Sequence, residues 1–184
     1  MLTTRLMRGL LALALATTTV TPGTALAASA AEIDRNVDAV LVKLYASVPK
    51  ARELEARAKG MLVFPRIYKA GFMFGAQYGE GALRRKGKSV GYYNSVAASY
   101  GWQAGVQSFG YVLFFMTDAA LQYLDKSEGF EIGTGPSLVV LDQGAATAFT
   151  TTTVQSDVYA VIFDQSGLMA GVGVQGSKIS RLER

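Results

Sequence analysis

An α+β fold dominated by strands is predicted by three features of the 184-residue chain. Apolar residues recur at helical intervals mainly before residue 60. Of the 20 glycines, 18 lie from Gly60 onward. That same stretch carries β-branched and aromatic runs divided by turn residues. The expected architecture is N-terminal amphipathic helices packed on a strongly curved antiparallel sheet or a small β-barrel.

The first 27 residues read as a secretory signal peptide, separate from the fold. Arg5 and Arg8 precede the apolar stretch 9–16, and Ala25-Leu26-Ala27 places small residues at the positions a signal peptidase requires. The apolar core falls short of the roughly 20 residues a spanning helix needs. Cleavage after Ala27 is expected to leave residues 28–184 as one domain, periplasmic or secreted. With no Cys in the chain there is neither a lipidation site nor a disulfide.

Within 28–60, a helical segment, Ser29 and Glu32 have capping-box spacing. Ile33, Val37, Val40, Leu41 and Leu44 then form one stripe of an amphipathic helix. Ser47 is expected to cap a second helix, with Pro49 in its first turn and Gly60 as the stop. Beyond it, residues 61–184 are expected to form the antiparallel β region. Runs 61–64, 71–77, 111–116 and 158–163 read as short strands. Arg85-Lys86-Gly87-Lys88 and Asp164-Gln165-Ser166-Gly167 read as hairpin turns. Gly71, Gly75 and Gly79, then Gly101 and Gly105, fall at even spacings, which sets each group on one strand face and permits sharp bending. Thr117 is expected to cap a short helix near 118–126.

Composition removes most enzymatic chemistry. With no His and no Cys, triads that use imidazole, zinc sites built on imidazole or thiolate, haem attachment and iron–sulfur ligation are all excluded. The motifs that resemble chemistry lack their partners. Gly87-Lys88-Ser89 has Ala82 where a phosphate loop needs glycine. Gly87-Lys88-Ser89-Val90-Gly91 spells a nucleophile elbow with no histidine to serve it. Gly171-Val172-Gly173-Val174-Gln175-Gly176 spells a dinucleotide fingerprint eight residues before the last residue of the sequence, and reads as a glycine-rich strand. Ser47-Val48-Pro49-Lys50 has penicillin-enzyme spacing without the companion motifs. Among the carboxylates, Glu80 stands between Gly79 and Gly81, where a backbone or ligand can come close, but no second carboxylate is spaced to work with it. The expectation is no enzyme, no cofactor and no metal.

Charge is uneven along the chain. Residues 32–88 carry 12 basic and 6 acidic side chains, and residues 89–184 carry 4 and 8. Within the basic half, Arg84, Arg85, Lys86 and Lys88 cluster at the predicted hairpin, with Lys59, Arg66 and Lys69 upstream. Interleaved aromatics are Phe64, Tyr68, Phe72, Phe74, Tyr78, Tyr92 and Tyr93. Cations beside aromatic rings suit a membrane interface, where rings sit among headgroups and ammonium or guanidinium groups meet phosphates. A solubilising hairpin over an aromatic core accounts for the same residues equally well. Nucleic acid is not expected, since the chain from residue 28 carries a formal charge of only +2.

Ala58-Lys59-Gly60-Met61-Leu62-Val63-Phe64-Pro65, Lys69-Ala70-Gly71-Phe72, Gly75 and Tyr78-Gly79-Glu80-Gly81 together resemble the SYLF lipid-binding domain family, whose yeast members are known as Ysc-type actin-binding proteins. The likeness continues through residues 87–94, Gly101-x-Gln103-x-Gly105, Phe115-Met116-Thr117 and Phe163-Asp164-x-x-Gly167-Leu168 to Gly176-Ser177-Lys178-Ile179, in the manner of the bacterial secreted branch. Departures are Ala76 after Gly75, where a second glycine is common, and a run 92–96 without the usual proline. The resemblance implies a β-rich domain with N-terminal helices. It also implies phosphoinositide binding in eukaryotic relatives and actin bundling in fungal ones. For an envelope protein, what carries over is peripheral binding of anionic phospholipid headgroups, with Arg84, Arg85, Lys86, Lys88, Lys59, Arg66 and Lys69 as contacts. The alternative is a structural or protein-interaction module of the envelope that binds no lipid directly.

Overall fold

The computed structural model describes residues 28–126, 130–131, 135–148 and 156–184. The expected signal peptide lies outside the described residues. Helix α1 (Ala30–Ser47) starts where Ser29 Oγ accepts the Glu32 amide at 3.2 Å, and it buries Ile33, Val37, Val40 and Leu44 on one stripe. Complete burial of each such side chain stabilises by about 1.5–3 kcal/mol. Ser47 corrects the sequence reading. It is the last residue of α1, and its hydroxyl donates back to the carbonyls of Lys43 and Leu44 rather than capping the next helix. Helix α2 (Lys50–Arg57) instead has Pro49 at its N-cap and no side-chain cap. It is held to α1 by Tyr45, whose hydroxyl donates to Glu55 Oε2 at 2.5 Å while Arg52 lies 4.3 Å over its ring.

Three strands then carry most of the remaining chain: β1 (Gly60–Arg85), β2 (Lys88–Phe115) and β5 (Val158–Leu182). Each pairs antiparallel with the next along nearly its whole length. Between β2 and β5 come α3 (Asp118–Lys126), β3 (Phe130–Glu131), β4 (Leu138–Leu141) and α4 (Gln143–Ala148). The predicted short strands are therefore segments of long ones, because the glycines bend strands without ending them. Asp164-Gln165-Ser166-Gly167 is not a hairpin turn. Its residues form a bulge in β5, with Asp164 at φ 50° and Gly167 at φ 87°, opposite a register shift between Ser108 and Gly110. The turn at Lys86 and Gly87 is as predicted, with φ 50° and 77° at its two central residues. The sheet is also not wholly antiparallel, since β4 runs parallel to β5. Helix α3 begins where Thr117 Oγ1 accepts the Ala120 amide at 3.2 Å, as expected.

The sheet curls into a half-barrel because β1 doubles back on itself. A Cβ at Gly71 would stand 2.6 Å from the Gly75 Cα, which marks the bend. Met73 at its apex has φ 62°, opposite a register shift between Phe72 and Phe74. Past the bend, residues 79–81 lie against residues 63–67. A Cβ at Gly81 would meet the Val63 carbonyl oxygen at 2.2 Å, and one at Gly79 would meet that of Arg66 at 2.8 Å. Only hydrogen at these two positions admits such an approach. The inner face of the curl holds Leu62, Phe64, Tyr93, Leu113 and Ile179, closed by Leu121 and Leu124 of α3. On the outer face Met61, Val63, Val112, Phe114 and Val161 receive the buried stripe of α1. Both faces are thus covered at the end where β1 begins, and the bend projects beyond them.

Candidate functional site

The α1 helix ties the front of the sheet together through its acids. Asp34 accepts hydrogen bonds from Ser89 Oγ at 2.6 Å and the Tyr92 hydroxyl at 2.9 Å, while Asp38 pairs with Arg84. Burial and the neighbouring Asp34 carboxylate both push the Tyr92 phenol up. Farther along α1, Lys43 reaches Asp164 in the β5 bulge at 2.8 Å. Two cations of the basic half, Lys43 and Lys59, are therefore paired with acids of the acidic half, Asp164 and Asp118, which softens the asymmetry read from sequence.

These contacts divide the seven predicted cations. Arg84 is structural: its side chain is 13% exposed, it pairs with Asp38, and it donates to the Gly87 carbonyl at 2.9 Å, bracing the turn from inside. Arg85, Lys86 and Lys88 are exposed around Gly87, with no ion pair among the described residues. Lys59 joins them, because the curl returns the end of β1 to its beginning. A Cβ on Gly60, its neighbour in sequence, would lie 3.5 Å from Arg85 Cγ. Lys59 is half exposed and stands 3.8 Å from Asp118, a loose pair that a competing anion can open. Arg66 and Lys69 are brought elsewhere, toward the bend. There Arg66 donates to Ser108 Oγ at 3.3 Å.

The aromatics separate likewise. Phe64 and Tyr93 are core residues, and Tyr92 is bound to Asp34. Phe72 and Phe74, 74% and 69% exposed, crown the bend with Tyr100, whose ring centroid is 5.1 Å from that of Phe74. Leu168 and Val106, register partners on β5 and β2, are also exposed. About ten strand residues, on the order of 33 Å of chain, separate this apolar crown from the basic hairpin.

A cleft of about 620 Å³ opens between α1 and β1, lined by Ile33, Val40, Lys43, Tyr68, Tyr78 and Glu80 among others. Glu80 is the polar centre of one wall. Its Oε1 accepts the Tyr78 hydroxyl at 2.7 Å and Arg184 Nη2 at 2.8 Å, and its Oε2 accepts the Ala28 amide at 3.2 Å. The ring of Tyr78 is exposed, yet burial of its hydroxyl and the bond to Glu80 push the phenol up to about 12. Gly79-Glu80-Gly81 already singled out Glu80 as a place of close approach, and the backbone that approaches is its own strand at Val63 and Arg66. The convergence of Ala28 and Arg184 on Glu80 had no sequence signal, because 156 residues separate them.

Among the described residues no three acidic, His or Cys side chains gather as a metal site, and no helix is long and apolar enough to cross a membrane. Residues 96–183 match the family model described as Ysc84, Las17-binding protein actin regulator. The matched segment takes in most of β2 and all of β5, and it stops short of the basic hairpin. No curated protein matches the chain.

Proposed function

Residues 96–183 are a domain of the Ysc84 (SYLF) family, a family of lipid- and actin-binding domains and not a known enzyme family, and from that premise we propose an envelope protein that binds anionic phospholipid surfaces reversibly. Its address is the periplasm or the exterior, reached after residues 1–27 are removed. Its contact is the hairpin end of the curled sheet. The observation that carries this reading is the exposed trio Arg85, Lys86 and Lys88 around the Gly87 turn, with Lys59 beside it. Each cation at an anionic surface contributes about 1 kcal/mol, so the trio supplies roughly 3 kcal/mol, enough for peripheral attachment that salt reverses.

A second reading is favoured by the crown at the bend. Phe72, Phe74, Tyr100 and Leu168 are exposed apolar or aromatic side chains gathered at the bend, which suits a protein partner in an envelope module that binds no lipid directly. Vesicle co-sedimentation of the chain from Ala28 separates the two. Phosphatidylglycerol or cardiolipin vesicles are compared with phosphatidylcholine at low and high salt, alongside an Arg85→Gln/Lys86→Gln/Lys88→Gln variant. The lipid reading expects binding to acidic vesicles only, weakened roughly 150-fold in the variant and lost at high salt. Binding that survives both changes would transfer the site to the apolar crown. No binding to any vesicle would sink the lipid reading.

A further inference from the structure

We propose that Glu80 is the seat for the α-ammonium group created at Ala28 when the chain is cut after Ala27, so that processing completes an ion cluster locking the start of α1 onto β1. The inference rests on the export reading of residues 1–27 and is independent of lipid binding.

The seat exists in the fold. Glu80 is only 10% exposed at its side chain and Arg184 20%, so this cluster is screened less than the other ion pairs of the surface. Oε1 is occupied by the Tyr78 hydroxyl and Arg184, and Oε2 receives the Ala28 nitrogen. That nitrogen is fixed from two sides. Ala28 packs against the outer core cluster, and Ser29 immediately after it is the N-cap of α1. Gly79 and Gly81 let β1 lie against residues 63–67, and thereby fix the strand that carries Glu80 to this wall of the cleft.

Hydrolysis changes what the nitrogen can do. Water adds across the Ala27–Ala28 peptide bond: its hydroxyl goes to the Ala27 carbonyl carbon, giving a carboxylate, and the amine released on Ala28 is protonated at neutral pH. One neutral donor becomes three charged ones, and a neutral hydrogen bond becomes a charge-assisted one. The new positive charge would stand next to the N-terminus of α1, whose unpaired amides repel cations. Glu80 is the carboxylate placed to offset that repulsion. The other carboxylate lining this cleft, Asp164, is paired with Lys43 at 2.8 Å, which leaves Glu80 Oε2 as the anionic oxygen at the Ala28 nitrogen.

The test is NMR titration of the α-amine in the chain beginning at Ala28, in wild type and Glu80→Gln, with melting curves of the same chains before and after N-terminal acetylation. In the wild type the amine should titrate above its ordinary value of roughly 8, the Glu80 carboxylate outweighing the Arg184 guanidinium and the α1 amides that oppose it. Glu80→Gln should lower it. A group whose folded value is raised contributes stability that is fully present below its unfolded value of about 8 and lost as pH rises through the folded one. Acetylation should therefore lower the wild-type midpoint at pH 7, change little at pH 10, and leave Glu80→Gln nearly unmoved. An amine that titrates at its ordinary value in both proteins, or acetylation that lowers both midpoints equally, overturns the pairing. Because acetylation needs no substitution, the comparison stands even if Glu80→Gln folds poorly. N-terminal sequencing of the full chain after export from a bacterial host should begin at Ala28, and any other start overturns the processing step without touching the vesicle result.

Discussion

Replacing Gly81 by alanine probes the closure that makes the half-barrel. The added methyl would lie 2.2 Å from the Val63 carbonyl oxygen and 2.8 Å from Phe64 Cδ1, where ordinary contact begins at 3.4 Å. The two passes of β1 must then separate by roughly 1 Å, and the nearest obstacle is backbone, which cannot rotate aside. Overpacking of this kind costs up to about 3 kcal/mol. Alanine returns up to about 1 kcal/mol by restricting the unfolded chain. The net loss of about 2 kcal/mol corresponds to a fall of about 4–8 °C in melting temperature for a chain of this size. Gly91→Ala is the matched control in the same sheet. Its nearest atoms are the Tyr93 ring at 3.2 Å, which need give only slightly, and the Arg181 guanidinium at 3.6 Å, already an ordinary contact. That variant should stay within about 0.5 kcal/mol of wild type. Thermal and urea melts of the chains from Ala28 measure both. If the two variants melted alike, the doubled-back β1 would not be what closes the sheet.

Two further outcomes follow from an ion pair and a hydrogen-bonded carboxylate. Arg84→Gln should lower stability by about 1–2 kcal/mol in urea melts, because it unpairs Asp38 and frees the Gly87 carbonyl, whereas Lys86→Gln should leave stability unchanged and affect only vesicle binding. Asp157 accepts bonds from the Ser137 amide, the Ser137 hydroxyl and Thr117 Oγ1, and the two Ser137 bonds are the main reason its carboxyl is held below the ordinary range. A lowered folded value contributes stability that is present above the unfolded value of about 3.9 and lost as pH falls through the folded one. Asp157→Asn should therefore be less stable than wild type at pH 7, with the gap closing in acid. A gap that is constant with pH would show that the carboxylate charge contributes nothing.

Local signals were legible where a pattern repeats over a few residues. The stripe Ile33, Val37, Val40 and Leu44, the Ser29 and Thr117 caps and the Lys86-Gly87 turn all fold as their spacing predicts. The basic hairpin could be read as exposed charge, and Glu80 as a point of close approach. Ser47 was misread because a serine before Pro49 is as good a cap in sequence as it is a back-bonding terminus, and only the length of α1 decides between them. Asp164-Gln165-Ser166-Gly167 was misread because an aspartate and a glycine three residues apart, both at positive φ, serve a bulge as readily as a turn.

The sequence by itself therefore determined the helical start, the strand-rich remainder, the glycine positions at which strands bend, and an array of cations without histidine or cysteine chemistry, since each depends on residue type and short spacing. Only the tertiary structure decided that Arg84 is spent on Asp38 while Arg85, Lys86 and Lys88 remain outside, that Lys59 joins them, and that the exposed aromatics face away at the bend. It alone brought Ala28, Glu80 and Arg184 together. The reason is geometric: when a strand doubles back, residues twenty apart become neighbours and residues ten apart become strangers, and no local preference encodes which.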